Sequence, residues 1–365
     1  MDTQRMLGRF WVLAALCVIV CCWPACDDGN GPTDPEPTEA DWLIYYSYDA
    51  DSFNYYMPIY STSELQAIDT IPLPPPTYHD LRFTTDGRYI VFDVATTALE
   101  IFVLDHSTGD TVGSVVTNRG GSLRISPNDE YVMSVGVNGL AVYSIPSLAL
   151  VYTNATQISD GVFLPSSDRI VYSVDASDSL YAVDYINLPD SVATTPILMG
   201  PGIPSTFRPK YLAPDYHNAL LYTVGVDAIG SPGLWVFDIT DFSTVQAIPL
   251  PDDLQYGRPE MSASGGLGFL KGIGDTDDDN VILRYDPSAR SLTRFLEGSN
   301  VVWPWFRPRS MALTPDNGLL AIVVSISGAD SGALVLVDTE DGHIVTVFDH
   351  TFGQGRYARV YPVPR

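Results

Sequence analysis

From Trp42 to Arg365 the chain repeats one unit: an apolar strand running into a turn rich in Pro, Asp and Gly, a second strand, then a hairpin. The turns read Phe83-Thr84-Thr85-Asp86-Gly87, Ile125-Ser126-Pro127-Asn128-Asp129, Phe163-Leu164-Pro165-Ser166-Ser167, Leu212-Ala213-Pro214-Asp215, Met261-Ser262-Ala263-Ser264-Gly265 and Leu313-Thr314-Pro315-Asp316-Asn317. Their third residues are separated by 42, 38, 49, 49 and 52 positions. A unit of this length cannot bury its apolar face alone, so copies must stack on one another, and the chain is restricted to a repeat architecture.

The units are β. After each turn comes a β-branched or aromatic run, such as Tyr89-Ile90-Val91-Phe92 or Leu319-Leu320-Ala321-Ile322-Val323, the composition that suits a pleated, half-buried surface. Ser107-Thr108-Gly109-Asp110 and Thr339-Glu340-Asp341-Gly342 then supply the turn chemistry of the closing hairpins. The period is that of four-stranded propeller blades. Six units are complete. The strand Trp42-Leu43-Ile44-Tyr45-Tyr46 and the hairpin after it lack a first strand, and Ala358-Arg359-Val360-Tyr361-Pro362, its proline 47 residues beyond Pro315, is a first strand with nothing to follow it. The expectation is an all-β, seven-bladed β-propeller of four-stranded antiparallel blades over 41–365, closed by the C-terminal strand completing the N-terminal blade. Such closure leaves the ring no open end.

The wording of the repeats, as in Leu313-Thr314-Pro315-Asp316-Asn317 followed by Leu334-Val335-Leu336-Val337-Asp338-Thr339, resembles the YVTN/YncE-like β-propeller family across nearly all of 41–365. The Gly-His and Trp-Asp signatures of WD-repeat blades are absent from the sequence. Similar propellers include lactonases and quinoprotein-like oxidoreductases, so the resemblance carries an enzymatic alternative beside a binding or scaffolding role. A purely structural subunit of an envelope assembly is a third reading, and it predicts a broad exposed apolar face.

The N-terminus sets the location. Arg5 and Arg9 precede an apolar run from Phe10 to Trp23, too short to span a bilayer comfortably and suited to a secretory signal over 1–25. All four cysteines lie here, so the folded body holds no disulfide. Cys26 follows Ala25 and opens the polar tether 26–40, as in a mature bacterial lipoprotein, although Trp23 and Pro24 depart from the residues usual before such a cysteine. Lipidation at Cys26 would place the protein at the cell envelope, on its periplasmic or extracellular face, anchored by lipid alone. The net charge of −25 argues against nucleic acid and anionic lipid as partners. A monomer is expected, its partner an unknown envelope protein or an anionic small molecule or glycan.

Chemistry is concentrated before the first strands. Lys and Arg number only 19, yet Arg119, Arg208, Arg258, Arg307 and Arg356 recur there, with His79 in the corresponding place of an earlier unit. Pro209, Pro259 and Pro308 follow three of them, and Phe207, Tyr256 and Trp305 stand nearby. On one face of a propeller these arginines would ring the channel mouth and suit carboxylate or phosphate groups. The alternative is that each pairs with an acid such as Asp80, Asp252, Asp253 or Glu260 and braces the blades. Asp275, Asp277 and Asp279 alternate as calcium ligands do, but Asn280 stands where a helix-loop-helix calcium site needs Gly, so the run also reads as a solvated hairpin tip. No catalytic constellation and no cofactor motif accompanies them.

Overall fold

The structure is a computed structural model and describes residues 42–362 apart from 52–53, 74–77, 96–98, 119–120, 137, 175–179, 185–195, 198–206, 228, 299–306, 326–331 and 351–353. The signal segment, the tether with Cys26, Arg119 and Trp305 lie outside the described residues, as do the side chains of His79, Asp277 and Arg356.

Seven antiparallel sheets make up the fold. Blade 1 joins Trp42–Asp51, Asn54–Ser61 and Gln66–Leu73 to Gln354–Pro362 from the far end of the chain. Blade 2 is Tyr78–Phe83, Tyr89–Ala95, Leu99–Asp105 and Thr111–Thr117, and blade 3 is Ser122–Ile125, Tyr131–Gly136, Gly139–Ser144 and Leu150–Asn154. Blade 4 is Ile158–Phe163, Arg169–Val174, Leu180–Asp184 and Pro196–Ile197. Blade 5 is Arg208–Asp215, Leu220–Val226, Pro232–Asp238 and Thr244–Pro249. In blade 6 two short pieces, Gln255–Tyr256 and Glu260–Met261, share the partner Gly268–Ile273 and are followed by Val281–Asp286 and Ser291–Glu297. Blade 7 is Arg307–Leu313, Leu319–Ser325, Gly332–Asp338 and Ile344–His350.

Blade 6 departs from the four-strand expectation because its innermost strand is interrupted at Gly257-Arg258-Pro259. Pro259 has no N–H to give the ladder, and the chain leaves and rejoins the same partner around it. In blade 1, Gln354–Pro362 pairs with Trp42–Asp51 from Trp42↔Pro362 to Asp49↔Gln354. It also lies against the first strands of blades 7 and 2.

Each blade buries both faces, which explains why its central strands are continuously apolar. Successive side chains of a strand point to opposite neighbours: Tyr45 packs with Leu81, Ile90 and Phe92 of blade 2, while Ile44 and Tyr46 pack with Ala312, Ala321 and Val323 of blade 7. Leu221 faces blade 4 and Tyr222 faces blade 6 in the same way. Among the described residues there are seven such apolar clusters, one between each pair of neighbouring blades, blade 7 and blade 1 included.

The repeated turns owe their wording to local chemistry. The hydroxyls of Thr84, Ser126, Ser262 and Thr314 accept hydrogen bonds from the backbone N–H groups of Tyr89, Tyr131, Leu267 and Leu319 at 2.9, 2.9, 3.2 and 2.8 Å. Three residues after each hydroxyl the chain enters the left-handed region, at Gly87 (φ 69°), Asp129 (φ 61°), Gly265 (φ 70°) and Asn317 (φ 65°), conformations that Gly, Asn and Asp tolerate best. These residues also tie neighbouring blades together. Asp129 accepts from the N–H groups of Thr85 and Asp86 and the Thr85 hydroxyl in blade 2, and Asn317 donates to Ser264 of blade 6.

Candidate functional site

Side chains from blades 2, 3, 5, 6 and 7 line a cavity of about 250 Å³. Its charged lining consists of Arg82, Arg258, Lys271 and Arg309 against Asp80 and Glu260. Tyr211, Ser122, Ser310 and Met311 complete the walls with the backbone of Gly121 and Gly257.

A chain of alternating charge runs along one side of this cavity. Arg82 Nη2 donates to Asp80 Oδ2 at 3.0 Å, Arg124 lies 3.6 Å from the same oxygen and 3.4 Å from Asp160 Oδ1, and Arg258 grips Asp160 side-on through Nε (2.9 Å) and Nη2 (2.5 Å). Asp160 is fully buried. Besides the guanidinium groups it accepts the backbone N–H groups of Gly161 and of Leu212 in blade 5, both at 2.8 Å. Burial pushes its carboxyl up to about 6, against the pull of Arg124 and those two N–H groups. Asp80 repeats the device two interfaces earlier, taking Leu81 N–H on one oxygen and Leu123 N–H of blade 3 on the other. Each aspartate therefore staples its own inner strand to the next.

Of the five recurring arginines, Arg258 lines the cavity. Its carboxylate partner is Asp160, two blades away, and the interruption in blade 6 is what releases it from the ladder to reach there. Arg208 and Arg307 begin their strands exposed and are not among the lining residues. Phe207 and Tyr256 are packed into the clusters between blades 4 and 5 and between blades 5 and 6. Asp275 and Asp279 are exposed at a hairpin tip that is closed on itself: Asp279 Oδ2 accepts from Thr276 N–H and hydroxyl, and Asn280 Oδ1 from Gly274 N–H.

Arg82, Lys271 and Arg309 were not visible as site residues from spacing, but the prolines mark one of them. Behind Pro209 and Pro308 the pairing skips Lys210 and Arg309, which become the extra residues of β-bulges, and Glu260 follows Pro259 in the interrupted strand. A bulge re-aims the side chain it carries. Thus the informative position in the Arg-Pro-x repeat is the third, where Glu260 and Arg309 line the cavity and Lys210 stands 5.4 Å from the ring centroid of Tyr211, which also lines it.

Fold and site define a seven-bladed β-propeller with a cationic pocket lined by five of its blades. No protein-family model and no curated protein matches the sequence. Among solved structures, the chain is similar to a periplasmic gluconolactonase of Pseudomonas aeruginosa (15% identity, 89% of this chain and 100% of that one, TM-score 0.66). It is also similar to a putative 6-phosphogluconolactonase of Bacteroides fragilis (14%, 90% and 99%, 0.58) and to TolB of Acinetobacter baumannii (15%, 88% and 67%, 0.51). At these identities the likeness is one of fold.

Proposed function

We propose that the chain is an exported, lipid-anchored propeller of YVTN/YncE-like type that binds a small anion at its channel mouth and serves as a ligand-binding or interaction module of the cell envelope. The observation that carries the reading is the gathering of Arg82, Arg258, Lys271 and Arg309 around one cavity in a protein of net charge −25. Asp160 and Asp80 engage the guanidinium groups along one wall, while Lys271 and Arg309 form another. At about 250 Å³ the cavity is smaller than those that enclose drug-sized molecules, which begin at about 300 Å³, and it suits a short carboxylate or phosphate ester. The reading needs no cofactor.

Calorimetry with gluconate, butyrate and inorganic phosphate tests it. A saturable heat that shrinks with added salt is expected for at least one of them, and Arg309→Gln should weaken binding by about tenfold or more, the equivalent of one charge-assisted hydrogen bond. No saturable heat with any of the three would remove the reading. The fold neighbours favour a lactonase as the second reading; release of acid from glucono-δ-lactone at a rate that depends on Arg258 and Glu260 would replace binding with catalysis. For the anchor, Cys26→Ser is expected to move the protein from the membrane to the soluble fraction and to eliminate an acyl mass on the N-terminal peptide. An unchanged distribution would leave an ordinary cleaved signal.

A further inference from the structure

The chain contains two lysines against seventeen arginines. Lys271 lines the cavity, and Lys210 lies over Tyr211. Lys271 comes from the second strand of blade 6, and its stem runs along Gly257, where a Cβ would approach its Cε to 2.3 Å. Any larger residue at Gly257 would displace it. Its Nζ donates to the backbone carbonyl of Arg309 in blade 7, a neutral acceptor, and none of the described ion pairs includes it. Burial, reinforced by the Arg309 guanidinium, pushes the ammonium down to about 8.

A permanently charged guanidinium would hold an anion in this position equally well. What an amine adds is the ability to lose its proton and attack a carbonyl. We propose that Lys271 captures a small molecule bearing both an acid group and a carbonyl, an oxo acid or aldehyde acid, as a reversible imine, the acid group being held by Arg309 and Arg258. The inference rests on the anion-binding reading above. In the step, the lone pair of the neutral amine forms a C–N bond to the carbonyl carbon to give a carbinolamine. The former carbonyl oxygen then leaves as water, carrying away the two protons that the nitrogen has lost. No oxidant or reductant is needed, and water reverses the reaction. At neutral pH about a tenth of an amine titrating near 8 is unprotonated, against fewer than about one in a thousand for an ordinary lysine.

The probe is 2-oxobutanoate with sodium cyanoborohydride, read by peptide mass mapping, with Lys210 as the internal reference. Butyrate, which has the acid group and no carbonyl, is the calorimetric control. The expected result is labelling of Lys271 at least about tenfold faster than Lys210. The rate should rise with a midpoint near pH 8, fall when excess butyrate competes, and vanish in Lys271→Arg. Equal labelling of the two lysines, or butyrate binding to the wild-type protein with Lys271 unlabelled, overturns the imine and leaves anion binding standing. Absence of butyrate binding together with unselective labelling overturns both. Because the decisive comparison is between two lysines of the wild-type protein, it does not depend on how well the variant folds.

Discussion

A chain ending at residue 353 is expected not to fold. The deletion removes Gln354–Pro362, which pairs with the first strand of blade 1 over its whole length and lies between the first strands of blades 7 and 2. A ladder of this length, at about 0.5–1.5 kcal/mol net per hydrogen bond, together with the apolar surface left uncovered, reaches the scale of the 5–15 kcal/mol that stabilises a whole domain. The expected observation is loss of soluble protein, or of a cooperative thermal transition followed by circular dichroism. Pro362 lies opposite Trp42, so residues 354–362 moved ahead of Trp42 and joined by a short turn would form a hairpin in the same register. That permutant is expected to recover the native transition. A truncated chain that unfolds like the full one would show that the strand is a dispensable appendage and that the ring is held by blade packing alone.

The second large effect is at Asp160. Asp160→Ala removes the one carboxylate that meets both Arg124 and Arg258 and leaves the N–H groups of Gly161 and Leu212 without their acceptor. Breaking a buried pair by removing one partner costs about 3–5 kcal/mol, because the remaining charge stays desolvated. Arg258 is a quarter exposed and can turn to water, so its own removal is expected to cost less. A double-mutant cycle of Asp160→Ala and Arg258→Ala, followed by denaturant unfolding, is expected to give a coupling of about 1–3 kcal/mol. Additivity to within about 0.5 kcal/mol would mean that the bidentate contact contributes nothing to stability beyond the two backbone bonds.

Much of the blade architecture was legible because its causes are local. A hydroxyl at Thr84, Ser126, Ser262 or Thr314 and a left-handed residue three positions later are properties of a few consecutive residues, and the pair recurs in four of the six turns. The continuous apolar runs between turns followed from strands buried on two faces. The division of the inner strand in blade 6 was less visible. Pro259 announces it, but Pro209 and Pro308, in the same sequence context, produce only a bulge.

The site was legible in part. The recurrence of a scarce residue type before successive strands, a pattern along the chain, pointed to Arg258. It passed over Arg82, Lys271 and Arg309, which are single residues inside strands, where alternation tells that two faces exist without telling which one looks into a channel. It also did not pair Arg258 with Asp160. Glu260 and Asp252 are nearer in sequence, but the ring sets the side chain of Arg258 against blade 4, 98 residues earlier.

Turn chemistry and repeat length thus follow from the residues read in order, since each depends on neighbours within a few positions or on a period that any copy displays. Which guanidinium meets which carboxylate, and that Lys271 and Arg309 border one cavity, are consequences of curvature. Seven sheets wound about an axis bring residues of separate blades together, as Arg258 meets Asp160, and no spacing along the chain encodes that convergence.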